Sequence, residues 1–437
     1  MMGRREGMEH ESDDKKGYDI KVNTQATEKN RLENDLNARK KLKNLKELEK
    51  AVDLMQKPEI DSDQFFKLID SSIQGLKEYR LIVSAIDLGV LEALKTPLSA
   101  GALAEKLGCD SVLMPHFCEA LYSLGLLDRF EEGALEEKGN THRHGKEKND
   151  EKDEHTPENG YENRPEGRVQ NNGSTDLSAV YLVSELSATY LLESSPFSQR
   201  HYLAERLRTV DLWNRLPEIM KTGPIIFEKG TFFGEVIQSM AENARCGMLQ
   251  ETVKVVAENI NLENVKKLLD LGGGHGLYAI AFARLNKNLQ AFVYDLPPVT
   301  EKAKEFIERY EALNVDVILG DFFKDEIGDG YDLIFSSFNP GGKVPSLIPK
   351  ISKALNTGGI FVTRQMPDEK MKSNPLLNLE WNLWTFEGVK KGGSSYSFEN
   401  SVPFIEYIDM LGNYGFEVFC ELDMKDGSRI VFARKIG

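Results

Sequence analysis

The chain has 437 residues, 40% of them hydrophobic, which is enough for one large domain or two ordinary ones. Its formal net charge of -15 argues against a general nucleic-acid binder, because affinity for phosphates comes mostly from clustered lysine and arginine. Its four cysteines are too few and too scattered for a disulfide framework or a metal-ligand spacing, and no apolar run approaches the roughly 20 residues of a membrane span. We therefore expect a cytoplasmic protein without a bound metal, a membrane segment or a nucleic-acid partner.

Residues 1–60 are predicted to form a charged N-terminal arm that is partly helical. Within residues 28–56, leucine, valine and methionine recur at steps of three and four on one face, and charged residues cover the other face. This pattern predicts an amphipathic helix that packs on its own chain or on a dimer mate. A helix lying on a membrane surface is the alternative.

Residues 61–190 are predicted to form a small, winged-helix-like dimerisation domain. The stretches "LSAGALAEKLG" and "DSVLMPHFCEALYSLGLLDRF" each contain a short helix, and the chain after them has the length for a wing. A helix that reads DNA carries base- and phosphate-contacting side chains, whereas residues 110–128 contain no lysine or arginine. The second helix is therefore interpreted as a packing element, which favours dimerisation.

A polar insertion at residues 140–176 interrupts this domain. Its only large apolar residues are Tyr161 and Val169, so it cannot bury enough surface to offset the entropy lost on ordering, and we predict that it is disordered. Histidines 142, 144 and 155 are interpreted as incidental residues of a polar loop rather than a weak metal site. The apolar stretch "AVYLVSELSATYLL" restores the fold, and helices are predicted from residue 198 to about residue 261.

Residues 191–437 are predicted to form the larger domain, in which strands and helices alternate from Lys266 onward. The strands are "VKKLLDL", "LQAFVYDL", "VDVILGDFF", "YDLIFSSF" and "GGIFVTRQM", and helices follow the first two. This alternation predicts a Rossmann-like, doubly wound parallel sheet. The final stretches "GFEVFCELDM" and "SRIVFARK" flank the turn "KDG", so the C-terminal hairpin places an antiparallel strand in that sheet.

A glycine-rich loop, "LGGGHGL", follows the first of these strands. Ligands of such sheets bind at the carboxyl ends of the strands, where glycines let backbone N–H groups approach an anionic ligand closely. The glycine spacing alone leaves a nicotinamide cofactor open, and Asp295 at the end of the second strand can hold the ribose of either ligand. His275 inside the loop is interpreted as a variable loop residue. The antiparallel hairpin discriminates between the cofactors, because it argues against a nicotinamide enzyme.

The glycine loop, "VYDLPPV", "GDFF" and the terminal hairpin, in that order, resemble a class I S-adenosylmethionine-dependent methyltransferase. With the winged-helix-like front end, residues 70–437 are similar to the small-molecule O-methyltransferase family that includes caffeate and hydroxyindole methyltransferases. The resemblance implies a homodimer, S-adenosyl-L-methionine as cofactor and a small-molecule acceptor.

The resemblance also implies site residues. The cofactor contacts carry over to Gly272, Gly274, Asp295, Leu296, Asp321, Phe322 and Ser337. Asp295 is expected to hold the ribose diol, Asp321 to accept from the adenine amino group and Phe322 to pack on the adenine face. The acceptor contacts carry over to Trp213, Asn243, Met248, Asn339, Trp381 and Trp384. The two tryptophans of "EWNLWTF" are three residues apart, which predicts one shared helical face.

The sequence departs from the family after the fourth strand. The family carries there a histidine that takes the acceptor's proton, whereas this chain reads "FSSFNPGGKVPS". Three hypotheses remain open. The acceptor is a hydroxyl and the base comes from elsewhere; or it is a thiol, amine or amide of a small molecule or a protein side chain, which needs no strong base; or the chain is a relative that binds the cofactor without methylating, or a regulator. Asn339 is the candidate catalytic residue, able to orient an acceptor, and a simple Pro-Gly turn is the alternative interpretation of "NPGG".

Overall fold

The computed structural model describes residues 60–131, 179–339, 341–391 and 398–437, together with Lys40 and Met55. The predicted insertion at 140–176, with its three histidines, lies outside the described residues, as does almost all of the helix predicted at 28–56. The chain divides into two compact units, residues 1–77 and residues 78–437. Among the described residues, no helix combines the length and apolarity that a bilayer crossing requires.

The front part of the chain is mainly helical. Its elements in chain order are α1 (Asp63–Asp87), α2 (Val90–Ala93), β1 (Leu98–Ser99), α3 (Ala100–Leu107), α4 (Leu113–Ser123), β2 (Leu127–Phe130), β3 (Val180–Val183) and α5 (Glu185–Tyr190). The Ser99 hydroxyl accepts the Ala102 N–H at the start of α3, and Gly108 adopts φ 65° at its end. The two short helices lie where the sequence predicts them, and the strands pair antiparallel in the order β1-β3-β2.

These elements enclose a hydrophobic core of their own. Leu103, Cys118 and Leu121 on α3 and α4 are fully buried, and Tyr181 on β3 covers them. The Tyr181 hydroxyl donates to Glu119 Oε1 at 2.5 Å, so the buried ring keeps a partner for its polar end. The core therefore does not depend on the sheet of the larger domain.

A short strand interrupts the helices that lead to the large sheet. The elements are α6 (Arg200–Asn214), α7 (Leu216–Thr222), β4 (Ile225–Phe227), α8 (Lys229–Ala244) and α9 (Met248–Asn259). The sequence predicts only helices here, which is wrong for β4. Gly223 ends α7 at φ 92°, and Pro224 cannot continue it. The β-prone residues that follow pair in parallel with β10 (Trp384–Phe386).

The large sheet has seven strands. They are β5 (Lys267–Leu271), β6 (Gln290–Asp295), β7 (Val315–Leu319), β8 (Tyr331–Ser337), β9 (Leu355–Gln365), β11 (Phe416–Asp423) and β12 (Arg429–Lys435). The spatial order is β11-β12-β9-β8-β5-β6-β7, and β5 to β9 run parallel. Strand β12 is antiparallel to both β9 and β11. The predicted doubly wound sheet with an antiparallel C-terminal hairpin is confirmed.

Helices cover both faces of this sheet. They are α10 (Leu277–Leu285), α11 (Pro297–Arg309), α12 (Ile348–Ala354), α13 (Asp368–Lys372), α14 (Pro375–Asn382) and α15 (Phe404–Leu411). Successive residues of a strand alternate between the two cores: Leu268 and Phe335 belong to one, and Leu269 and Ile334 belong to the other. All four side chains are fully buried, as expected for parallel strands covered on both faces.

The C-terminal hairpin is held to the sheet by a buried arginine on β9. The Arg364 guanidinium donates to Asp426 Oδ2 at 2.7 Å and to Ser428 Oγ at 2.8 Å, both in the hairpin turn, and also to Thr252 on α9. Arg364 is 1% exposed, so these bonds replace the water that its charge loses. Its guanidinium also lies 4.8 Å from the centre of the Phe338 ring, at the end of β8.

Candidate active site

The glycine loop joins β5 to α10 through backbone conformations that favour glycine. Gly272 and Gly274 have φ of 68° and 57°. A Cβ on Gly272 would lie 2.4 Å from Asn339 Nδ2, and a Cβ on Gly274 would lie 2.9 Å from Ile237 Cδ1. A side chain at Gly272 is therefore excluded both by backbone strain and by its neighbour. The loop presents its backbone to the space above it.

His275 is a structural part of this loop. The sequence interprets it as a variable loop residue, but it is only 6% exposed. Its Nδ1 accepts the Leu277 N–H at 3.1 Å, so the imidazole binds one of the free N–H groups at the start of α10. Burial lowers the pKa of His275 to about 4, which keeps the ring neutral and able to accept.

Asp270, at the end of β5, is a candidate residue that the sequence analysis missed. A Cβ on Gly273 would lie 2.6 Å from Asp270 Cγ, so the carboxyl group lies directly beneath the glycine loop. Burial raises the pKa of Asp270 to about 7, and the nearby Asp295 acts in the same direction. Its Oδ2 is buried and has no hydrogen-bond partner among the described residues. A carboxyl group with such a raised pKa can be protonated near neutral pH, and a cationic group near the loop would favour its charged form.

Asp295 ends β6 beside the glycine loop, as the strand pattern predicts. Its Oδ2 accepts the Gly274 N–H at 2.9 Å, and its Oδ1 accepts the Leu296 N–H at 2.7 Å. Burial raises the pKa of Asp295, while these two backbone donors and Lys229 act against that rise. Each carboxylate oxygen retains a second lone pair, so the group can still accept hydroxyl donors.

Asp321 and Phe322 follow β7, the next strand of the sheet. Asp321 Oδ1 accepts the Phe323 N–H at 3.0 Å, and its Oδ2 lies 3.4 Å from Lys324 Nζ. The rings of Phe322 and Phe323 are 4.8 Å apart at 58°, with Lys229 Nζ 6.0 Å and 5.6 Å from their centres. An aromatic face and a carboxylate thus lie together at the end of a third strand.

Asn339 lies after β8, against the glycine loop. Its Oδ1 accepts the Gly341 N–H at 3.0 Å, and its Nδ2 donates to Leu271 O at 3.4 Å. The amide group therefore stabilises a turn, although one lone pair and one N–H remain for a ligand. Phe338 before it has φ of 50°, unusual for a residue other than glycine, and its N–H donates to Arg364 O at 2.9 Å.

A cavity joins these groups. It is lined by every predicted cofactor residue and by the predicted catalytic residue, namely Gly272, Gly274, Asp295, Leu296, Asp321, Phe322, Ser337 and Asn339. The first seven come from the carboxyl ends of four adjacent parallel strands, where an open sheet of this kind binds its ligands. The structure therefore brings the predicted cofactor residues together at one edge of the sheet.

The other predicted acceptor residues do not line this cavity: Trp213, Asn243, Met248, Trp381 and Trp384. Trp213 Nε1 donates to Glu380 Oε2 at 2.8 Å, next to the tryptophan pair. The shared helical face predicted for that pair is wrong, because α14 ends at Asn382 and Trp384 belongs to β10. The two indoles still meet, with ring centres 5.1 Å apart at 74°. The role of these five residues stays a prediction.

One apolar wall of the cavity was not predicted from the sequence. Phe233, Ile237 and Met240 lie on one face of α8, and Phe398 joins them. Their spacing in "FFGEVIQSM" is four and then three residues, a helical pattern that was present in the sequence. Lys229, at the start of α8, is a further lining residue. Such a stripe fits ordinary core packing equally well, so the sequence alone does not distinguish a cavity wall from core.

Seven aromatic rings continue from this wall. We call them the aromatic cluster: Phe227, Phe232, Phe233, Trp381, Trp384, Phe386 and Phe398. Phe232 stacks on Trp384 with ring centres 4.7 Å apart, and Phe233 lies 5.3 Å from Phe386. Two members, Phe233 and Phe398, line the cavity. These two rings give the cavity an aromatic wall, against which a flat, apolar ligand can pack.

The chemical groups at this site fit S-adenosylmethionine. Asp295 offers acceptors for two hydroxyls, and Phe322 offers a face for a heterocycle. The Asp270 carboxyl group lies under the loop, and its unpartnered Oδ2 would suit the positive charge of a sulfonium or ammonium group. The cavity wall thus offers groups for the nucleoside, and the Asp270 carboxylate would be a counter-charge for such a group.

Two family models match the chain. A model of the O-methyltransferase domain matches residues 227–390, and a model of the O-methyltransferase dimerisation domain matches residues 71–143. An uncharacterized protein of Methanocaldococcus jannaschii is 33% identical over 377 residues, which cover 85% of this chain and 90% of that protein. Acetylserotonin O-methyltransferase of Bos taurus is 30% identical over 223 residues, which cover 47% of this chain and 64% of the bovine protein.

Solved structures share the fold. The human N-acetylserotonin methyltransferase in complex with S-adenosylmethionine aligns with a TM-score of 0.57 and 20% identity, covering 87% of this chain and 99% of the human chain. An O-methyltransferase family protein from Burkholderia thailandensis aligns with a TM-score of 0.61 and 16% identity, covering 86% and 99%. With the family models, these likenesses establish that the chain belongs to the S-adenosylmethionine-dependent O-methyltransferase family.

Proposed function

We propose that this protein transfers a methyl group from S-adenosylmethionine to a hydroxyl group of a small, flat molecule. The observation that carries the proposal is the cavity in which the glycine loop, Asp295 and Asn339 meet beside the aromatic cluster. Several relatives are named acetylserotonin O-methyltransferases, which supports a hydroxyl acceptor. The bound cofactor supplies a sulfonium methyl group that a nucleophile can displace.

The proposed residue roles follow the chemistry of the cavity wall. Asp295 would hold the ribose diol, Asp321 the adenine amino group and Phe322 the adenine face. Asn339 would orient the acceptor with the lone pair and N–H that its turn leaves over. Holding the two reactants aligned is a large part of what an enzyme contributes to such a displacement.

The proposed assembly is a homodimer formed through a winged-helix-like domain at residues 61–190, with residues 191–437 forming the methyltransferase domain. The match to a dimerisation-domain model supports this division. Exposed apolar side chains on α1 also support it, among them Phe65, Phe66 and Leu68, each more than half exposed. Light scattering at micromolar concentration should give twice the mass of one chain.

Calorimetry tests the cofactor directly. We expect the protein to bind S-adenosylmethionine and S-adenosylhomocysteine and not NADH. Binding of NADH without a response to S-adenosylhomocysteine would overturn the proposal. Incubation with S-adenosylmethionine, first with N-acetylserotonin and then with cell extract, should yield a methylated product by mass spectrometry, and its linkage identifies the acceptor atom. A product methylated on sulfur or nitrogen would show that the acceptor is a thiol, an amine or an amide instead of a hydroxyl.

A further inference from the structure

The proposed reaction leaves the acceptor's proton without a recipient. The loop after β8 lacks the family histidine, and within the described ranges the titratable side chains lining the cofactor cavity are Lys229, Asp295 and Asp321. The two carboxylates are assigned above to the cofactor, and Lys229 Nζ lies over the Phe322 and Phe323 rings on the same side. A base must therefore be sought next to the aromatic cluster.

Lys391 places an amine inside that cluster. Its Nζ lies 3.2 Å from the centre of the Trp384 ring and 3.9 Å from the centre of a Trp381 ring, and it donates to Trp381 O. The Lys391 backbone forms an antiparallel bridge with Phe398, whose side chain lines the cofactor cavity. Lys391 is not itself a lining residue, but this bridge makes it the backbone neighbour of a residue that lines the cavity.

Three of the charged groups on the packed elements have partners other than Lys391. Glu380 on α14 accepts from Trp213, and Lys390 pairs with Glu399 at 3.6 Å. Glu387 follows β10, and no described carboxylate forms an ion pair with Lys391. Burial lowers the pKa of Lys391 to about 7, while the two π faces favour the ammonium form. The amine can therefore exchange a proton near neutral pH.

We propose that Lys391 is the general base that takes the proton of the acceptor hydroxyl, an inference that rests on the proposed function. The Nζ lone pair binds the hydroxyl proton as the acceptor oxygen forms its bond to the methyl carbon. The carbon–sulfur bond breaks, and its electron pair stays on sulfur. The products are a methyl ether, S-adenosylhomocysteine and the Lys391 ammonium, which then releases its proton to water.

The aromatic cluster suits this role because the positive charge is conserved. Before transfer the charge resides on the sulfonium and Lys391 is neutral, and after transfer sulfur is neutral and Nζ is charged. The net charge of the whole site therefore does not change, although the positive charge moves from the cofactor end to the apolar end, where an uncompensated charge would be costly. The faces of Trp381 and Trp384 stabilise the ammonium where it forms.

The first test needs neither cofactor nor acceptor. In protein labelled with 13C at the lysine ε-carbon, the Lys391 signal is assigned by its loss in Lys391→Met and followed against pH by NMR. We expect an apparent pKa well below that of the surface lysines, with Lys254 on α9 as the exposed reference. Titration of Lys391 together with the surface lysines near about 10.4 would refute the proposal even if the protein methylates hydroxyls.

The second test uses turnover of the acceptor found above. Lys391→Met should lower turnover at pH 7 by roughly a hundredfold or more and leave S-adenosylmethionine affinity within about twofold. Lys391→Arg, which keeps a cation but holds its proton, should not restore the rate. Lys254→Met should match the wild type. A Lys391→Met variant with wild-type turnover and pH profile would exclude Lys391, whereas loss of cofactor binding in the wild type would instead remove the proposed function.

Discussion

The two ends of the cavity differ in how the chain builds them. The cofactor end comes from the carboxyl ends of parallel strands, within residues 272–337. The aromatic end collects side chains from β4, α8, α14, β10 and Phe398, which lie far apart in sequence. The carboxyl ends of parallel strands lie at one edge of the sheet, whatever loops connect the strands. The aromatic side chains come together only through tertiary packing. A cofactor site can therefore be predicted from one stretch of sequence, and the acceptor site cannot.

The largest expected effect concerns the free energy of unfolding, through His275 at the cofactor end. Burial depresses the pKa of His275 to about 4, so its contribution to stability is complete above its unfolded pKa of about 6.5 and is lost as pH falls towards 4. Protonation would also place a hydrogen on Nδ1 against the Leu277 N–H. This loss is about 3 kcal/mol between pH 7 and pH 4.

His275→Gln should lack this component of the pH dependence, and urea unfolding at the two pH values measures it. His116→Gln, at an exposed position on α4, is the matched control and should behave like the wild type. Equal pH dependence in wild type and His275→Gln would show that the buried imidazole does not support the glycine loop.

Removing the ribose acceptor should affect the cofactor end alone. Asp295→Ala deletes an acceptor that no neighbour replaces, and we expect S-adenosylmethionine affinity to fall by about 2 to 3 kcal/mol, roughly 30- to 150-fold. Calorimetry measures the change. Asp316→Ala, whose carboxylate accepts from Gln290 at an exposed position, is the control. Unchanged affinity in Asp295→Ala would show that the cofactor does not bind at the end of β6.

Asn339 lies where the two ends meet. Asn339→Ala should lower turnover by roughly ten- to a hundredfold, as for loss of one aligned hydrogen bond, without moving the pH profile, because an amide does not titrate. Cofactor affinity should barely change. Steady-state kinetics across pH measures both, with Asn356→Ala as the control for an exposed asparagine. Wild-type turnover would leave "NPGG" as a turn and nothing more.

The smallest effect is expected from the aromatic end. Trp384→Leu removes a ring that stacks on Phe232, so the KM for the acceptor should rise about tenfold while cofactor affinity stays constant. Phe419→Leu, a partly exposed aromatic position on β11, is the control. A fall in cofactor affinity of the same size would show that the two ends are not separable.

Much of the fold could be predicted from local sequence patterns. The strands from Lys267 to Leu319 and the terminal hairpin lie where alternation and turn residues place them. The pairing of β4 with β10 could not be predicted, because a strand of three residues shows little periodicity and these two strands lie far apart in sequence.

The site divides along the same line. Asp295 and Asp321 stand at or just after strand ends, and both were predicted as cofactor residues. Asp270 lies inside the apolar strand that precedes the glycine loop, and nothing in that stretch marks it as a site residue. Lys391 follows Lys390 in a polar stretch, and nothing in the sequence distinguishes the partly buried Lys391 from the exposed Lys390. Only tertiary packing, which puts one amine on two indoles, separates them.

Strand β12 has a consequence for how the molecule assembles. It follows every other strand of the large sheet in sequence, yet it lies inside the sheet, between β9 and β11. The turn before it also supplies the partners of Arg364. Closure of the sheet must therefore wait until all seven strands have been synthesised, and the pairing of β12 with β9 spans more than sixty residues. Long-range pairings of this kind slow folding, so a nascent chain would leave the edge of β9 unpaired until synthesis reached β12.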